Sequence, residues 1–478
     1  PYYTVQEGWI TGVHVVNTSA QTQVVKFRLR RASDSLDALD FNVIMSPKDV
    51  WAGFISQNVS GDISFSAGDT TCTAPAAVDG SFTMPPIYRE GAETGYVEVI
   101  AMGRPSSEEG GIAVAAKHKA GVPVNCEAVR SNFFAGGQAP STPGGTDGVQ
   151  GVVTSTSTFQ AKYSVGETDI AATSNNFLPS GDVLKVSYFI RDNDSGVEFG
   201  DNAVHISGFL NEAAITNQER GYLSGDLLGF DFPDLNGGVP GGGDRGQFAS
   251  LRSSNVLGVG QLYNEWSANP GNGVAVDWVV TMPGQYTMLN MPAYVAFLND
   301  DAVVEADQLK CSTGGVGGPV TALDDDNCDF RDIPVTATIM PYNREELTTT
   351  EPTGDLVVSP SVPGAPDDLI LPNETNVITF GGNSVLGVSD VDISADLVQP
   401  FGWLSLSVAS QSKGQALCDW TVPGAKPATI AGLAMDCDTA INGTPVPMVG
   451  FAAWQRSVAA NPDASYGRIV SHSFTSAN

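Results

Sequence analysis

The chain has 478 residues with 53 acidic and 23 basic side chains, a net charge of −30, 42% hydrophobic residues and only 16% charged ones. That length allows two to four domains, and the hydrophobic content is enough to bury a core, which excludes a wholly disordered chain. The acidic balance repels phosphate backbones, which excludes nucleic acid as a partner. No apolar run approaches the ~20 residues of a membrane helix.

The chain opens at Pro1 with no Met and no basic leader, so the expectation is an exported protein whose signal peptide has been removed. Tyr2 to Val5 already reads as a strand. Residues 11–17 form a second, and 22–30 alternate cleanly, with Val25, Phe27 and Leu29 on one face and Lys26, Arg28 and Arg30 on the other. Residues 40–45 and 48–55, joined by Ser46-Pro47, and then 96–103 continue the series. Strands at this spacing predict an antiparallel sandwich. A short helix is expected over 123–133, with Asn125 as its cap.

A Gly/Pro/Ser/Thr stretch over 136–151 reads as a linker or exposed loop. Strands resume at 154–163 and 183–190. Residues 249–266 are the best helix candidate, weakened by Gly258 and Gly260. Strands follow at 275–281 and 335–340, then a Thr/Pro-rich loop over 346–370, then strands at 376–380, 401–409, 446–454 and 468–474. The expected organisation is an N-terminal β-sandwich over 1–135 and a central β-rich domain over 152–345 with an insertion over 152–222. C-terminal strands over 371–478 could complete an earlier sheet. The fold class is mainly β: antiparallel β-sandwich domains with a few short helices.

The six cysteines fall into three local pairs, so the expected disulfides are Cys72–Cys126, Cys311–Cys328 and Cys418–Cys437. Other connectivities remain open. Three disulfides fit an oxidising compartment.

Several phrases form an ordered set: PYYTVQEGWITGVHVVNTS at 1–19, KFRLRRASDSLDALDFNVIMSPKDVWAG at 26–53, DTTCTAP at 69–75, GYVEVIAMG at 95–103 and VPVNC at 122–126. DWVVTMP, PYNREELTTT, NVITF, FGWLSL and VPMVGFA follow further on. The set resembles a family of secreted, cell-surface-associated proteins of Gram-negative bacteria with no assigned enzymatic activity. It is densest in the first 130 residues. The resemblance implies export and a cell-surface setting, and it implies no catalytic residues.

The chemistry-bearing residues are sparse. The histidines are His14, His118, His205 and His472, and no GxSxG elbow places a nucleophile. The doublets Glu108-Glu109, Asp300-Asp301 and Glu345-Glu346 read as solvated turns rather than as the facing carboxylates of a glycosidase. Two acidic loops have the hard oxygens that Ca²⁺ takes: Asp192, Asp194 and Asp201, and separately Asp324 and Asp326. Lys26, Arg28 and Arg30 form a basic cluster in an acidic chain, placed to meet acidic neighbours on another subunit. The strand at Pro1, Tyr2 and Tyr3 is expected at the same intersubunit contact.

The function expected from these features is a non-enzymatic extracellular structural protein that self-assembles with copies of itself into a filament, tube or surface layer. One alternative is a surface adhesin or carbohydrate-binding module, with Trp51, Trp266 or Trp454 lining a groove for surface glycans. The other is a secreted glycan-active enzyme.

Overall fold

The computed structural model describes residues 1–131 except 34 and 36, 177–208, 213, 259–283 except 270 and 272, and 335–342. It also describes 369–393 except 383, 400–408, and 448–476 except 462 and 463. Antiparallel pairing dominates, and the chain is mainly β with two short helices among the described residues.

The first sandwich is built from β1 (Tyr2–Thr4), β2 (Trp9–Asn17), β3 (Gln23–Arg31), β4 (Asp37–Met45), β5 (Val50–Gln57), β6 (Ile63–Ala67), β7 (Cys72–Ala74), β8 (Ser81–Thr83) and β9 (Thr94–Pro105). Helix α1 (Gly111–Ala116), the small hairpin β10 (His118–Lys119) and β11 (Val122–Pro123), and α2 (Cys126–Ser131) follow. Asn125 caps α2, its Oδ1 accepting the Ala128 N–H at 3.0 Å. Then come β12 (Phe177–Leu178), β13 (Leu184–Asp192) and β14 (Glu198–Asn202). One layer has the order β1-β9-β3-β4-β7, with β12 on β9; the other is β14-β13-β2-β5-β6-β8.

The alternation along β3 fixes how the layers meet. Val25, Phe27 and Leu29 pack with Phe41 against Val13, Val15, Trp51, Ile55 and Phe65 of the second layer. The Phe65 ring lies 4.7 Å from those of Phe27 and Trp51. It rests on Gly53, where a Cβ would come within 2.5 Å of the ring and of the Ser66 carbonyl. Glycine is required there by close approach.

The second sandwich comprises β15 (Val259–Asn269), β16 (Val274–Thr281), β17 (Val335–Tyr342), β18 (Leu369–Leu371), β19 (Thr375–Thr379), β20 (Val391–Asp392), β21 (Phe401–Val408), β22 (Val449–Arg456), β23 (Tyr466–Ser471) and β24 (Ser473–Ser476). The β15–β16 hairpin carries the chain from a layer ordered β18-β17-β21-β15-β24 to one ordered β20-β19-β16-β22-β23. Leu262, Trp266, Ile339, Leu404 and Leu406 from the first meet Val276, Trp278, Val280, Ile378 and Ala452 from the second.

Two expectations are corrected. The helix expected over 249–266 is a strand from Val259 onward. Leu262 and Trp266 are four residues apart, a spacing that suits one face of a helix and one face of a strand alike, and pairing with β21 decides it. The single central domain expected for 152–345 is divided: β13 pairs with β2 in the first sandwich, and β16 pairs with β19 and β22 in the second.

The two sandwiches share a core. Tyr2, Trp9, Tyr188 and Phe199 of the first pack with Val279, Val377, Leu386 and Phe451 of the second. Backbone hydrogen bonds cross the joint from Glu374 N–H to the Ser33 carbonyl (3.2 Å) and from Thr375 N–H to the Ala32 carbonyl (2.9 Å).

Asp277 on β16 is fully buried in this region. Its Oδ2 accepts the Val385 N–H (2.7 Å), the Leu386 N–H (2.8 Å) and the Ser384 hydroxyl (2.9 Å). Burial pushes its carboxyl from 3.8 up to about 7, against the pull of these three donors. The folded state therefore holds this proton where the unfolded chain has lost it. That contribution to stability is fully present below about pH 4 and is lost as pH rises to about 7. Asp277→Asn keeps an acceptor for the three donors and is expected to flatten the pH dependence of the urea midpoint between pH 4 and 7 relative to the native chain. An unchanged slope would remove Asp277 as its source.

Candidate interaction surfaces

The basic cluster on β3 is not a surface. All nine residues of β3 are buried. Lys26 and Arg28 have no exposure and Arg30 has 2%. Lys26 Nζ lies 2.7 Å from Asp40 Oδ2, Arg28 lies 3.3 Å from Glu98, and Arg30 Nε lies 2.9 Å from Glu98 Oε2. Pairing sets Arg28 directly between Asp40 and Glu98 on the neighbouring strands. The expectation that Lys26, Arg28 and Arg30 face another subunit is corrected: their acidic partners are in the same sheet. Isolated charges cannot be buried at this depth, so the carboxylates are part of the fold.

Tyr2 and Tyr3 are likewise corrected as exposed contact residues. The strand that follows Pro1 pairs Tyr2 with Tyr96 and Tyr3 with Gly95 of β9, and the two tyrosines are 4% and 0% exposed. The sheet edge invoked for a neighbour is provided within the chain.

Cys72 and Cys126 form a disulfide that ties the start of β7 to the start of α2. Cys311, Cys328, Cys418 and Cys437, with Asp324 and Asp326, lie outside the described residues. In the β13–β14 turn, Asp192 Oδ1 accepts the Asp194 N–H (3.0 Å), and Oδ2 accepts the Ser195 N–H (3.2 Å) and hydroxyl (2.5 Å). Asp201 sits opposite Tyr188, four residues back along β13 from Asp192, roughly 13 Å away at strand rise. Its Oδ2 accepts the Ser471 hydroxyl. The turn holds Asp192 in its own hydrogen bonds and separates it from Asp201. Among the described residues no three His, Cys, Asp or Glu side chains gather as a metal site.

The histidines are dispersed. His472 is buried against Trp278, and with burial its imidazole falls to about 3. Neutral, its Nε2 donates to the Val279 carbonyl, while Nδ1 accepts from Asn264. His205 Nε2 accepts the Val186 N–H. His118 has Ser46 Oγ at 3.1 Å and Asp49 at 3.8 Å on Nδ1, and Thr70 Oγ1 at 3.5 Å on Nε2. The Thr70 hydroxyl donates to the Gly121 carbonyl at 3.2 Å and Asp49 Oδ2 accepts the Ser46 N–H at 2.9 Å, so these groups are not the tight hydroxyl–imidazole–carboxylate chain of a triad. Glu108 is engaged by the Thr22 N–H and hydroxyl. A cavity of about 300 Å³ lies at the joint, lined in part by Tyr2, Glu98, Tyr188, His205 and Phe451.

Two sheet faces present apolar side chains to solvent. On the outward face of the second layer, Gly200, Phe189, Gly12, Phe54 and Ser66 lie in one row across five strands. The Phe189 ring covers Gly12, where a Cβ would sit 2.2 Å from it. Phe54 is 46% exposed and meets Phe189 edge to face at 5.8 Å, and the exposed His14 meets the Phe189 ring edge to face at 6.0 Å. Val50, 49% exposed, extends the patch. The exposed ionised groups on β13 and β14 that share this face are Lys185, Arg191 and Glu198, two cations to one anion in a chain of −30.

The other face belongs to the β17–β21–β15 layer. Tyr342, Trp403 and Glu265 are in register across it, with Tyr342 and Trp403 stacked at 4.0 Å. Trp403 is 41% and Phe401 37% exposed. These aromatics occupy the outward positions of their strands, and alternation is the signal that could have found them. Trp51 and Trp266, expected in a groove, are 1% exposed. Trp454 is half-buried beneath the Arg468 guanidinium, which lies 4.8 Å above its ring.

No helix among the described residues is long and apolar enough to cross a membrane. No protein family, curated protein or solved structure matches the chain.

Proposed function

We propose that this chain is a non-enzymatic structural subunit of an exterior surface, which assembles with copies of itself into a filament, tube or layer. The observation that carries this reading is the flat outward face around Phe54, Phe189 and Gly12. It is apolar at its centre, the exposed ionised groups on its strands β13 and β14 are two cations and one anion, and it is set on a chain that is otherwise strongly acidic. Net charge keeps such a molecule apart from its copies everywhere but on a face without that charge. Six strands at about 4.8 Å by some six residues give a face of about 25 by 20 Å. Two copies stacked there cover roughly 1,000 Å² in total, the threshold for a specific contact. That pairing is closed, so a second contact between pairs extends it into a filament, tube or layer. The fused core of the two sandwiches suits the same role, since a subunit that carries load must not bend at its middle. Export fits the disulfide at Cys72 and Cys126.

Phe54 faces solvent, so Phe54→Lys leaves the fold intact while placing a charge at the centre of the face. Covering the exposed half of Phe54 on each side of a symmetric contact is worth about 1.5–3 kcal/mol, and the lysine adds the cost of burying a charge there. The association constant is therefore expected to fall by about a hundredfold or more in sedimentation equilibrium. Equal association of variant and native chain would exclude this face.

A further inference from the structure

Beside the β15–β16 hairpin of the second sandwich lies a slot of about 220 Å³, lined by Glu265, Trp266, Ser267, Phe401 and Trp454 among others. We propose that this slot binds one pyranose ring of a neutral glycan. The inference is independent of self-assembly.

The chemistry of the walls selects the ligand. A pyranose presents C–H bonds on its faces and hydroxyls around its rim. Its C–H faces carry slight positive charge and sit well on the negative face of an aromatic ring. Phe401 and Trp454 give the slot aromatic surface, and Gly402 lets the strand carrying Phe401 approach β17 closely, since a Cβ there would lie 1.9 Å from the Tyr342 carbonyl. Hydroxyls need both acceptors and donors. Glu265 is the acceptor, and Arg468, 2.9 Å from Glu265 Oε1 and stacked over Trp454, is the donor beside it. Both members of this pair are about half exposed, at 45% and 54%, so their hydrogen-bonding capacity is open to a ligand.

Size and charge narrow the class. The slot is smaller than the ~300–1,000 Å³ of pockets that hold drug-sized molecules, and suits a single sugar ring. A chain of net charge −30 repels uronic-acid and sulfated polymers, which leaves neutral glycans. Glu265 also stands in register with Trp403 and Tyr342, so the remainder of an oligosaccharide would leave the slot over that aromatic row.

The test is calorimetric titration of the full chain with a series of neutral hexasaccharides, namely cellohexaose, chitohexaose, maltohexaose, xylohexaose and mannohexaose, with oligogalacturonate as the acidic control. The variants are Phe401→Ser and Glu265→Gln, both at exposed side chains. Melting curves confirm that each folds. The expected result is millimolar or tighter binding of at least one neutral member, weakened about tenfold or more by Phe401→Ser and by Glu265→Gln. The same titration on Phe54→Lys should give unchanged sugar affinity, which separates the slot from the assembly face. No binding by any neutral member, equal affinity in the variants, or preference for oligogalacturonate overturns the proposal.

Discussion

Asp40→Ala is expected to lower the free energy of unfolding by about 3–5 kcal/mol, read from the urea midpoint. Asp40 is 1% exposed, lies 2.7 Å from Lys26 and 3.8 Å from Arg28, and both cations have no exposure at all. Removing the carboxylate leaves positive charge in a site that water does not reach. The pair itself need not stabilise the fold, because burying each ion costs several kcal/mol that their attraction only roughly repays. The double replacement Lys26→Met with Asp40→Leu removes the burial cost with the pairing, and should recover most of the loss. A cost below about 1 kcal/mol for Asp40→Ala would mean that water reaches the cluster.

This cluster marks the limit of what alternation conveys. The pattern over 22–30 correctly divides β3 into two faces, because side chains alternate across a strand. It carries no information on whether the second face is covered. Cations suggest solvent, yet β3 lies between β9 and β4, which set Glu98 and Asp40 directly opposite Arg28. Those partners are 70 and 12 positions away in the chain and become visible only with strand order. The same limit applies to Phe54. In Val50, Trp51, Ala52, Gly53, Phe54 and Ile55 both faces carry apolar residues, so sequence cannot say that Trp51 is core and Phe54 surface. By contrast, the sandwich class and the cap at Asn125 rest on local signals, and the Cys72–Cys126 pair on the spacing of six cysteines along the chain; all three are present.

Removing the Cys72–Cys126 disulfide by replacing both residues with alanine should cost about 4 kcal/mol, given the 54-residue separation that it closes. The loss should be local in character. Cys72, Val24, Ile44, Ile112 and Val129 form a cluster that seats α1 and α2 against the sheet. Without the covalent tie, limited proteolysis should cut within 106–131 before it cuts β2 or β3. Reduction with no change in melting temperature or cleavage order would show that the packing alone holds the helices.

The central claim, assembly through an apolar face of an acidic subunit, is tested most directly by sedimentation velocity of the native chain over a range of protein and salt concentrations. The account predicts polymers that grow with protein concentration and grow further with added salt, because salt screens the repulsion of −30 charges and leaves the apolar contact in place. Phe54→Lys should lose this pairing and its growth with salt under the same conditions. A native chain that is monomeric at every concentration would contradict self-assembly. Polymers that dissolve as salt is raised would contradict the assigned face, since that behaviour belongs to a contact made by ion pairs.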